Sequence, residues 1–150
     1  MKNIFLLADT QETIDRINQL TPGTKGLWGK MTVAQMLAHC NVTYEFAYDG
    51  KHPKLSPFKR LLLKVFVKKI VIGDKPYKRN LPTAPEFLQK EEKDFEVERS
   101  RLVDYMKKTQ GLGEAHFDGK DSHSFGNLSK SQWNTMFYKH LDHHLTQFGV

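Results

Sequence analysis

The chain has 150 residues, of which 39% are hydrophobic and 27% charged. That describes one domain, residues 1–150, large enough to bury a core, and it excludes a disordered chain. A single cysteine, Cys40, excludes an internal disulfide, and the formal net charge is +6.

That charge is uneven. Residues 51–79 hold ten Lys or Arg against one acid, Asp74, a local +9 that leaves the remainder at −3. This is a pointer to an anionic partner on one side. The N-terminal apolar run ends at Asp9, too short for a secretory core. The apolar stretch around residues 61–72 contains Lys64, Lys68 and Lys69, which rules it out as a membrane span. The expected location is cytoplasmic.

In chain order, the first predicted helix runs from Asp9 to Leu20, with Asp9 as N-cap and Glu12 three residues on. Thr32 and Gln35 form a T-x-x-Q capping box that opens a second helix to about Asp49, stopped by Gly50. Ser56 followed by Pro57 opens a third, Phe58–Ile72, stopped by Gly73. A proline-rich connector at 74–85 follows. Thr83 and Glu86 then predict a capping box for a long helix from Pro85 to Lys108, with Leu88, Phe95, Leu102 and Met106 as its seam. Residues 111–127 read as a partly ordered loop. Ser129 and Gln132 cap the last helix, which runs to about Gln147 before Gly149. No repeat or useful β-alternation is present. The expected fold is all-α, an antiparallel bundle with an extra short helical segment and a longer crossover connection.

The chemistry concentrates in three histidines. His140 and His144 lie four apart, which stacks them on one helical face. Trp133, Phe137, His140, His144 and Phe148 form one continuous stripe, so the pair sits on the core-facing side. His39, on the second helix between Met36 and Cys40, can turn inward to meet them. Buried imidazoles need hydrogen-bond partners or a metal. Either reading stands on the spacing alone: satisfied core histidines, or three nitrogen ligands with an open fourth position. Cys40 faces about 100° away from His39 and reads as core packing. Asp142 points to the opposite side of the last helix.

The segment KMTVAQMLAHC (30–40), together with HSFGNLSKSQWNTMFYKHLDHHLTQFGV (123–150), resembles the DinB-like superfamily. It is most similar to a small branch, without assigned reaction, whose chains close on H-x-x-x-H-L-x-Q-F-G. The resemblance implies a four-helix bundle holding a divalent metal, usually nickel or zinc. One histidine comes from the second helix and two from the last, here His39, His140 and His144. Gln147 matches a frequent glutamine with no agreed role. A homodimer is also implied.

A three-histidine metal can activate water or hold a thiol as thiolate. The resemblance therefore implies a metal-dependent hydrolase or a low-molecular-weight thiol transferase acting on a small molecule, and the basic segment would suit an anionic or thiol substrate. Candidate proton carriers, by location, are His143, His123 and Glu45, with Tyr44, Tyr48 and Tyr138 as possible hydroxyls. The rival reading is a non-catalytic binding module, with a structural metal or a basic face for anionic lipid or nucleic acid. That face would be the ridge Arg60, Lys64 and Lys68 beside Phe58, Leu62, Phe66 and Ile70. The favoured reading of the ridge is a bundle helix with its apolar side inward and a solvated lysine edge, and no specific nucleic acid is expected.

Overall fold

Local capping chemistry sets most of the helix starts. The computed structural model describes residues 1–150. Its helices are α1 Leu7–Asn18, α2 Val33–Tyr48, α3 Pro57–Leu62, α4 Lys68–Ile72, α5 Phe95–Phe117 and α6 Lys130–Gln147. Two capping boxes form as expected. Thr32 Oγ1 accepts from the Gln35 amide at 3.2 Å, and Gln35 Oε1 accepts from the Thr32 amide at 3.0 Å. Ser129 and Gln132 repeat the exchange at 3.3 and 3.1 Å. Ser56 caps α3 ahead of Pro57.

Several expectations need correction. α1 starts two residues before Asp9, which is not its cap. The Asp9 carboxylate instead accepts from the Asn3 amide at 2.7 Å, closing the turn before the helix. The long helix predicted from Pro85 starts at Phe95, where the Asp94 side chain accepts from the Val97 amide. Residues Pro85–Phe87 make only a single 3₁₀ turn, and Thr83 caps nothing. The reason is tertiary: Phe87 is drawn against His39, with ring centroids 5.2 Å apart. Leu88 therefore leaves the seam and is 49% exposed. The segment expected to be a partly ordered loop, 111–127, begins as helix. α5 continues past Gly111, kinks at Gly113 (φ +72°) and ends at Phe117. Phe117 sits fully buried on Phe5, Trp133 and Phe137, which offsets the cost of two glycines in a helix. An antiparallel hairpin follows, β1 Asp121–Ser122 with β2 Gly126–Asn127.

α1, α2, α5 and α6 surround one core that includes Ile17, Leu37, Leu102, Met106, Phe137 and Leu141. α2 is the central helix. Eleven of its sixteen residues are buried, so it meets neighbours on most of its sides. Its placement aims His39 and Thr43 toward α6 and Asn41 toward α5. Cys40 is buried in the core, as expected.

The third predicted helix is broken. A π-helical turn, Leu63–Val67, joins α3 to α4. One side of this α3–π–α4 segment, including Leu63, Val67 and Val71, lines a cavity of about 700 Å³ against α2 and α6. No helix is long and apolar enough to cross a membrane.

Candidate metal centre

α2 and α6 cross so that His39, His140 and His144 meet at one end of this cavity. Their nearest ring nitrogens all lie within 4.8 Å of one another. His39 Nε2 stands 2.9 Å from His140 Nε2. The ring centroids are 4.6 Å apart for His39 and His144, and 4.9 Å apart for His140 and His144.

The outer nitrogen of each ring is held from behind. His39 Nδ1–H donates to the Phe87 carbonyl at 3.0 Å. A carbonyl can only accept, so that bond fixes the tautomer and leaves His39 Nε2 as a lone pair. His144 Nδ1–H donates to Gln147 Oε1 at 2.7 Å. Gln147 cannot be turned round, because its amide nitrogen donates to the Trp28 carbonyl at 2.7 Å. His144 Nε2 is thereby left as a second lone pair, facing inward. His140 Nδ1 meets the Thr43 hydroxyl at 3.0 Å, and that hydroxyl can either donate or accept.

Burial holds all three rings neutral. It pulls the His39 pKa below the usual imidazole range and lowers His144 to about 3, with the neighbouring His39 adding to the drop. Burial also pulls His140 well below that range, followed by the charges that His144 and His39 would carry. Three neutral imidazoles, two with inward lone pairs and a third able to offer one by shifting its proton, in a concave apolar site, can hold a divalent cation.

The remaining candidates fall in different places. His143 lies on the cavity wall, edge-on to Tyr77 at 5.6 Å and Trp28 at 5.8 Å, with its ring 5.1 Å from His144. Burial lowers its pKa too. His123 also lines the cavity and stacks on Phe46 at 4.4 Å; Phe46 in turn packs on Phe87, which packs on His39. Glu45 is outside the cavity, held by Arg101 and by His52 at 2.9 Å. Tyr44 packs between Phe137 and Tyr105, Tyr48 bonds Thr109, and Tyr138 donates to Asp142, so none of the three reaches the cavity. Asp142 pairs with Arg16 at 2.8 Å, on the far side as expected.

Sequence reasoning passed over three groups around the histidines, Thr43, Tyr77 and the Phe87 carbonyl, and gave a fourth, Gln147, no role. Thr43 is one helical turn from His39, and Gln147 is three residues from His144; both spacings put them on the ligands' own faces. Tyr77, from the proline-rich connector, and the Phe87 carbonyl carry no comparable signal.

Residues 4–149 match the family described as protein of unknown function DUF1569, and the chain belongs to that family. No curated protein matches the chain, and no solved structure does.

Proposed function

We propose that this chain is a metal-dependent enzyme on a DinB-like four-helix bundle. His39, His140 and His144 would hold a divalent ion, nickel or zinc, and the reaction would be of hydrolase or low-molecular-weight thiol transferase type. The observation that carries the proposal is the back-bonding of the rings. Phe87 and Gln147 fix two tautomers so that both Nε2 lone pairs face the point where His140 Nε2 also arrives. Metal-binding histidines are oriented by such outer hydrogen bonds.

His140 supplies the adjustable part. In the metal-free protein its Nε2–H donates to His39 Nε2, and the Thr43 hydroxyl donates to its Nδ1. To offer Nε2 as a ligand, the ring moves its proton to Nδ1, and Thr43 turns from donor to acceptor. A hydroxyl serves both states; an amide or carbonyl would serve only one.

When bound, the metal would act as a Lewis acid and lower the pKa of a water or thiol. The chain does the rest. Apolar walls from Met31, Phe46, Leu63, Val67, Val71 and Phe87 exclude bulk water from the site. Lys30, Lys78 and Lys90 line the same cavity without an acidic partner, which favours an anionic small molecule. His143, neutral and next to His144 on the wall, would accept a proton from a bound substrate. His123, stacked on Phe46 on the wall of the same cavity, is the second candidate for that role.

The test is metal content of untagged protein purified without chelator, beside a His140→Ala/His144→Ala variant. About one equivalent of nickel or zinc in the wild type and none in the folded variant supports the reading. It also selects the metal for hydrolase and thiol-transfer assays. A wild type that stays metal-free after incubation with either ion overturns it.

A further inference from the structure

The α3–π–α4 segment is apolar on both sides, which a solvated lid does not need. Its inner side, Leu63, Val67 and Val71, lines the cavity. Its outer side presents Phe58, Leu61, Val65 and Phe66 at 70, 57, 60 and 69% exposure, with Leu62 also exposed. This reverses the expectation that the Phe58–Leu62–Phe66 side packs inward. The basic ridge is corrected as well. Arg60 pairs with Asp121 and donates to the Ser122 carbonyl, and Lys68 reaches the Phe125 carbonyl, so both are tied to the hairpin. Lys54, Lys64 and Lys69, by contrast, have no acidic partner around the exposed apolar face.

We infer that this outer face docks on an anionic lipid bilayer surface. Large side chains exposed in a contiguous group mark an interaction site. The occupant follows from charge. The face lies in a stretch of ten cations and one acid, so a second copy would bring like charge against like. A nucleic acid would use the lysines but leave two phenylalanines, a valine and the leucines facing phosphate and water. An anionic bilayer satisfies both features: headgroups for the lysines, and the acyl boundary for the apolar side chains. The site stands apart from the histidines and does not depend on a bound metal. The same segment lines the cavity on its other side, so the docked lid lies between bilayer and cavity.

The experiment is co-sedimentation of the full chain with sucrose-loaded vesicles of phosphatidylcholine alone, or with about one third phosphatidylglycerol. The variants are Phe58→Ser/Phe66→Ser and Lys64→Glu/Lys69→Glu, all at exposed positions that leave the core intact. The expected result is binding to the anionic vesicles only, weakened by salt. Each double variant is expected to lose about tenfold in the partition coefficient. No binding to anionic vesicles at low salt overturns the proposal. Binding that the Phe58→Ser/Phe66→Ser variant leaves unchanged also overturns it, because that would be charge adsorption alone. Analytical ultracentrifugation supplies the remaining check: a wild-type dimer that Phe58→Ser/Phe66→Ser converts to monomer would assign the face to a second copy.

Discussion

Gln147 ties His144 to the backbone of a distant loop: its Oε1 accepts from His144 Nδ1 at 2.7 Å while its Nε2 donates to the Trp28 carbonyl at 2.7 Å. The loop is shaped for this. Gly29 has φ +83°, and a Cβ there would stand 2.6 Å from Gln147 Nε2. Gln147→Leu keeps the volume and removes both bonds, so His144 loses its fixed tautomer. Affinity for nickel or zinc is expected to fall by about 10- to 100-fold, read by competition with a chromophoric chelator. An unchanged affinity in the folded variant would mean that the amide serves only the loop.

The Thr43 hydroxyl is assigned two roles, donor without metal and acceptor with it. Thr43→Val is nearly isosteric and can do neither. It is expected to weaken metal binding about tenfold and to cost the metal-free protein roughly 1–2 kcal/mol, because His140 Nδ1 stays buried without a partner. Thr43→Ser should restore both. If valine and serine behave alike in chelator competition and urea unfolding, the hydroxyl has no part in holding His140.

What was legible in the sequence was local. The Thr32–Gln35 and Ser129–Gln132 boxes close within one turn, so the residues that make them are neighbours in the chain. The meeting of the histidines was legible for a related reason, since the spacing of His140 and His144 put them on the stripe of Trp133 and Phe137. The Thr83–Glu86 pattern looked no different from a true box, yet the chain there answers to His39 and Phe46 through Phe87. The lid failed for another reason. With Leu63 and Val67 on one side and Phe58, Leu62 and Phe66 on the other, apolar periodicity does not say which side faces inward, and the π turn at 63–67 shifts the register again. The back-bonding carbonyl of Phe87 belongs to the main chain and has no residue-type signal at all.

Lys139, next to His140, illustrates a group that spacing conceals. It is buried on the helix that carries the site, and its ammonium donates to the carbonyls of Ile70, Gly73 and Lys75 at 2.7, 2.5 and 3.2 Å. These are carbonyls at and just beyond the C-terminal end of α4, where a cation is favoured and partners are otherwise missing. The ammonium thus fastens the lid to α6. Lys139→Met retains the apolar stem and strands the carbonyls. A loss of roughly 2–3 kcal/mol in urea unfolding is expected. Amide exchange in residues 68–75 should rise more than in α2 or α5. A uniform rise across all helices would show that the contact stabilises the fold generally and does not fasten the lid.

Glu45 provides the acid-side prediction. Burial pushes its carboxyl pKa up, but hydrogen bonds from His52 and Arg101 and the arginine charge outweigh that, leaving it below its ordinary value of 4.5. A carboxyl depressed in the folded state contributes stability that is fully present above about pH 4.5. That contribution is lost as pH falls through the folded value, because the unfolded chain takes up the proton first. Glu45→Gln removes the charge while keeping the shape, so the variant should be about 1 kcal/mol less stable than the wild type at pH 7. The gap between the two should close as the pH drops progressively below about 4.5, read from urea midpoints at each pH. A gap that persists unchanged at the acid end of the series would show that packing, and not the carboxylate's ion pair with Arg101 and its hydrogen bond from His52, accounts for the difference.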